Sequence, residues 1–95
     1  MSNYRMDGQN LYDSSNHQIG RLDGHNVYDH SNHQVGRIDG ERIYDGSNHQ
    51  IARLSGSTIY DSSNRSIGSI DDARAAIAGG YGGVSLAALW VLFVR

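Results

Sequence analysis

A chain of 95 residues without cysteine or proline holds one small domain at most, and neither a disulfide framework nor a thiolate metal site stabilises it. The formal net charge is -2, and every one of the eight basic residues is arginine, with none clustered. That distribution lacks the basic surface that tracks phosphates, so nucleic acid is excluded as an expected partner.

Residues 1–4 are a short lead-in with no apolar h-region, which argues against a secretory signal peptide and places the repeats in the cytosol as an expectation. From Arg5 the chain repeats itself every 16 residues: RMDGQNLYDSSNHQIG, RLDGHNVYDHSNHQVG from Arg21, RIDGERIYDGSNHQIA from Arg37 and RLSGSTIYDSSNRSIG from Arg53. Residues 5–68 therefore read as four tandem units, each a supersecondary element packing on its neighbours. A fifth unit begins at Ser69 with "SID" and then departs from the pattern.

Each unit opens on a hairpin turn at Asp7-Gly8, Asp23-Gly24, Asp39-Gly40 or Ser55-Gly56, where glycine supplies the positive φ that such turns need. A short strand follows, as in Asn26-Val27-Tyr28. The motif Asp-x-Ser-Asn then makes a second turn, with Asn16, Asn32, Asn48 and Asn64 in the left-handed position. A second strand, such as His33 to Ile38, completes the unit. Two strands and two tight turns in 16 residues leave no room for a crossover helix.

The fold class is thus an all-β repeat, an antiparallel meander or alternatively a β-solenoid, followed by a C-terminal hydrophobic helix. The meander is favoured on charge. A solenoid stacks its Asp and Arg columns at about 4.8 Å, whereas a meander roughly doubles that distance and weakens the repulsion. Alternation then places Leu11, Val27, Ile43 and Ile59 on one face, with Ile19, Val35, Ile51 and Ile67. Tyr12, Tyr28, Tyr44 and Tyr60 fall on the other, packed over Gly20 and Gly36. An eight-stranded flat sheet spans nearly 40 Å, so the sheet has to curl or to associate.

Residues 69–95 form the tail. Ser69 and Asp72 have the spacing of a capping box, which starts a helix near Ile70. Residues 75–94 carry no charge, long enough for a helix that spans a bilayer, with Arg74 and Arg95 at its flanks. Gly79 and Gly83 have the small-x-x-x-small spacing of a helix–helix contact. The competing expectation is a soluble core helix lying on the aliphatic face.

No residue set specifies a reaction. His17, His33 and His49 with Asp13, Asp29 and Asp45 invite a metal reading, but equivalent positions in a meander are about 10 Å apart, too far to share an ion. Four equivalent Ser, His and Asp sets on turns describe turn chemistry and no distinguished nucleophile. The expectation is a protein that is not an enzyme and carries no cofactor or metal: a structural repeat protein that associates with itself as a membrane-associated scaffold, coat or filament. Its expected partners are further copies of itself and a lipid bilayer met through residues 75–94. The alternatives are a soluble assembly, or a binding module or toxin-like or phage-like small protein that uses the Tyr and His surface.

Overall fold

The computed structural model describes residues 3–79 and 82–94. Ten strands form one sheet: β1 Tyr4–Asp7, β2 Asn10–Tyr12, β3 Gln18–Asp23, β4 Asn26–Asp29, β5 Gln34–Asp39, β6 Arg42–Asp45, β7 Gln50–Ser55, β8 Thr58–Asp61, β9 Ser66–Ser69 and β10 Ile77–Ala78. Strands β1 to β9 pair in sequence order and antiparallel, so the meander, not the solenoid, is the fold. Two turns alternate along it. In the first, Gly8, Gly24, Gly40 and Gly56 take φ of +60 to +64° at the first central position of a two-residue loop. In the second, Asn16, Asn32, Asn48 and Asn64 take φ of 65 to 71°, closing a three-residue loop.

Nine alternating strands leave β1 and β9 running in the same direction, so β9 has no antiparallel place beside β1. Helix α1, Ile70–Ala76, resolves this as a crossover that delivers β10 parallel to β1. Ser69 caps α1: its hydroxyl accepts from the Asp72 N–H at 3.2 Å, and the Asp72 carboxylate accepts from the Ser69 N–H at 3.0 Å. The sheet is not closed by hydrogen bonds, yet α1 packs against both of its end strands, β9 and β10. The two edges are therefore met by the chain itself.

Nine inter-strand gaps of ~4.8 Å would make a flat sheet roughly 43 Å wide, but the longest dimension is 34 Å. The sheet curls, and its concave face holds the core. Met6, Leu11, Leu22, Val27, Ile38, Ile43, Leu54 and Ile59 are buried there with the tail residues Leu86, Ala87, Ala88 and Leu89, the last four with no exposed surface.

The tail differs most from expectation. Residues 75–94 do not make one helix: α1 ends at Ala76, β10 follows, α2 spans Gly83–Leu89, and a π-helical turn spans Trp90–Val94. Residues 80 and 81 of that stretch, and its flanking Arg95, lie outside the described residues, as do residues 1 and 2 of the lead-in. Among the described residues no helix is long and apolar enough to cross a membrane. The apolar run is consumed instead by the concave face of the sheet, which offers α2 apolar side chains from several sides. The helix–helix contact expected of Gly79 and Gly83 fails for the same reason. Gly79, φ +128°, turns against Met6, where a Cβ would stand 2.5 Å from the Met6 carbonyl oxygen; Gly83, φ +63°, opens α2.

The face assignment is corrected by a bulge in every repeat. Leu11 pairs with Gly20 while Tyr12 pairs with Gln18, so Ile19 has no partner in the ladder. The same shift recurs between Val27 and Tyr28, Ile43 and Tyr44, and Ile59 and Tyr60. The glycines therefore join the Leu11 face, and Ile19, Val35, Ile51 and Ile67 are only partly buried, packing against the core.

Candidate functional site

On the convex face each repeat assembles the same station. The arginine that opens the repeat pairs across the strand with the tyrosine seven residues later: Arg5 with Tyr12, Arg21 with Tyr28, Arg37 with Tyr44 and Arg53 with Tyr60. Each guanidinium lies over its ring at 4.3 to 4.5 Å from the centroid, a cation–π distance. The same group donates to the side-chain oxygen of the turn asparagine: Arg21 to Asn32 at 2.9 Å, Arg37 to Asn48 at 2.6 Å and Arg53 to Asn64 at 3.0 Å, with Arg5 and Asn16 paired likewise. Asp7, Asp23 and Asp39, at the glycine turns, stand 3.6 to 3.9 Å from Arg5, Arg21 and Arg37. In the fourth repeat Ser55 takes that place.

So the tyrosines do not lie over glycine as the alternation implied. They are half-buried under arginine, because the bulge puts the glycines on the opposite face. The arginines were the residues that sequence reasoning passed over. Their constant offset of seven from Tyr and eleven from Asn was the available signal.

At the other turn, Asp13 Oδ1 accepts from the backbone N–H groups of Ser15 (2.9 Å) and His17 (3.0 Å), and Asp29, Asp45 and Asp61 repeat the pattern. The bond from the His17 N–H holds the Asp13 carboxyl below its ordinary 3.8, against an opposing desolvation; the Ser15 bond and the His17 ring add to the lowering. Asp29 and Asp45 are lowered in the same way, first by the backbone N–H of His33 and His49. The imidazoles stand 3.7 to 3.8 Å from these carboxylates and are largely exposed. Among the described residues no three His, Asp or Glu side chains converge in a group that could hold a metal ion.

The stations differ in the cross-strand neighbour on the arginine's other side: Arg21 and Arg37 have Asn10 and Asn26, Arg53 has Arg42, and Arg5 has Ala78 of β10. A methyl group leaves an open groove of about 380 Å³ lined by Asn3, Tyr4, Arg5, Asp13, Ser14, Asn16 and Ala78. Arg5 is correspondingly more exposed, 44% against 30% and 33% for the side chains of Arg21 and Arg37.

Compared with known proteins, no curated protein and no solved structure matches the chain. A family model described as "5-fold beta-flower protein" matches residues 3–81.

Proposed function

The chain belongs to the 5-fold beta-flower family, and from that premise we propose that it is a noncatalytic binding and scaffold module that acts by contact through its convex face. The observation that carries this reading is the fourfold repetition of one solvent-facing station, Arg over Tyr with Asn beside it, on a sheet whose concave face is already filled by the chain's own tail. Repetition gives multivalency: weak contacts made in parallel raise avidity without any deep pocket. The chemistry offered is a planar cation on an aromatic ring, flanked by amide and carboxylate oxygens. It suits a partner with flat faces and several hydrogen-bonding groups, such as a polymeric glycan.

Self-association is the second reading, and the mixed charge of the face favours it. Asp7, Asp23 and Asp39 alternate with Arg5, Arg21 and Arg37, so two such faces can meet with opposite charges in register. Copies joined in this way would form a scaffold or coat with the tail still inside each unit. A membrane-associated assembly, under this proposal, rests on the convex face and not on residues 75–94.

Replacing Tyr12, Tyr28, Tyr44 and Tyr60 by Leu tests both readings, with light scattering for mass and glycan-array capture for ligand. Capture lost at unchanged mass supports the binding module, and a fall from oligomer to monomer supports self-association. A wild-type monomer that captures nothing overturns both.

A further inference from the structure

The wall of the concave face and the π-helical turn have matched registers. A Cβ built on Gly68 of β9 would meet the Trp90 ring at 2.5 Å; one on Gly36 of β5 would meet Leu92 at 2.5 Å; one on Gly20 of β3 would meet Phe93 at 2.5 Å. The wall positions 20, 36 and 68 are spaced by whole repeats of 16, and their tail partners run 93, 92 and 90. One repeat back along the wall is thus one residue forward along the tail. The position between Gly36 and Gly68 in this series is Ala52, fully buried, and the residue between Leu92 and Trp90 is Val91. One repeat before Gly20 is Tyr4, half-buried against the core, and the residue after Phe93 is Val94.

We propose that the concave face is a register-reading receptor for an apolar helical pentapeptide, occupied here by residues 90–94, in which each of five wall positions reads one side chain, with Ala52 reading Val91 and Tyr4 reading Val94. Side-chain size supports it across the series. The three wall glycines face Trp90, Leu92 and Phe93, the large residues, while the two wall positions that carry a side chain fall opposite the two valines. Residues 90–94 are partly buried, and on their wall side the fit is tight: a Cβ at any of the three glycines would overlap the tail, so the wall discriminates by overlap.

Helix geometry supports it independently. Wall positions spaced as the 5-fold description of the matched family implies are ~72° apart about one axis, whereas an α-helix of ~3.6 residues per turn advances ~100° per residue and would fall out of step. A π-helix, with its hydrogen bonds running i to i+5, advances less per residue and stays closer to that spacing. The segment Trp90–Val94 changes from α to π where it meets the wall glycines. The matched family region, residues 3–81, contains all five wall positions and ends before the pentapeptide.

The receptor is tested in the full-length chain by thermal melting. Val91→Phe should lower Tm by roughly 5 to 15 °C through overpacking against Ala52, and Ala52→Gly in the same chain should restore at least half of the loss. An unchanged Tm in Val91→Phe, or a loss that Ala52→Gly leaves in place, overturns the register. Because the chain has no cysteine, pairing gives a second measurement that does not depend on tolerance of a large ring. Ala52→Cys with Val91→Cys should oxidise to a disulfide, and Ala52→Cys with Leu92→Cys should not; the reverse preference overturns the assignment.

Discussion

Asn48 meets two requirements at one position. Its backbone sits at φ 71°, which costs a residue with a Cβ roughly 1–2 kcal/mol unless a short polar side chain offsets it, and its side-chain oxygen accepts from Arg37 at 2.6 and 3.1 Å. The two requirements separate by substitution. Asn48→Gly keeps the left-handed backbone and loses only the exposed contact with Arg37, so the unfolding free energy from urea titration should fall by no more than about 0.5 kcal/mol. Asn48→Ala keeps neither and should cost about 1–2 kcal/mol. Equal losses in the two variants would show that the arginine contact, and not the backbone, sets the need for Asn. At this scale the local letters were readable, since Gly and Asn are the residues that take positive φ. The stacking of Arg on Tyr was within reach too, because the two-residue turn sets Asp7 opposite Asn10 and so Arg5 opposite Tyr12, with no bulge between these strands.

At the scale of the element, the Asp-x-Ser-Asn turn is a pH-dependent stabiliser. Asp13, Asp29 and Asp45 have carboxyl groups lowered from 3.8, first by the backbone N–H of the histidine four residues on. A group depressed in the folded state contributes stability that is fully present above its unfolded value and lost as pH falls through its folded value. Stability should therefore be flat through neutrality with respect to these groups and fall below pH 3.8. In the triple variant Asp13→Asn, Asp29→Asn and Asp45→Asn the neutral amide cannot contribute that charge. The gap in urea midpoint between wild type and variant should be largest near neutral pH and shrink below 3.8. A gap that stays constant between about pH 2 and pH 7 would mean that ionisation of these turns does not matter. The two strands and two turns of each repeat were legible from period and turn chemistry. The bulge was not, since Ile19 is one residue in a run whose alternation is otherwise unbroken, and one extra residue reverses the face of all that follow.

At the scale of the molecule the curled sheet and its tail stabilise each other. Leu86 and Leu89 have no exposed surface, and removing a buried leucine costs about 2–5 kcal/mol, so two together approach the whole stability of a small domain, about 5–15 kcal/mol. Truncation before Gly83 should abolish cooperative melting and create binding of a hydrophobic dye. A truncated chain that melts cooperatively at the wild-type temperature would show that the sheet does not need its tail. The tail also explains why composition misled. Residues 75–94 satisfy the length and apolarity of a bilayer span, but a segment surrounded by a curled sheet is apolar for the same reason, because both environments exclude water. The four glycines at 79, 80, 82 and 83 marked the difference by their poor helix propensity, and of these Gly79 and Gly83 take φ of +128 and +63° between β10 and α2.

The amino-acid sequence by itself determined the repeat and its two turns, which follow from contacts within one 16-residue period, and it favoured the antiparallel meander through the charges that a solenoid would stack. Only the tertiary structure decided that the repeat glycines line the core face, how nine antiparallel strands reach a tenth, and which of its two expected places the apolar tail takes. Those depend on a one-residue bulge, on the parity of the strands and on the curvature of the sheet. Each is a property of the whole ladder, and no window of the sequence contains it.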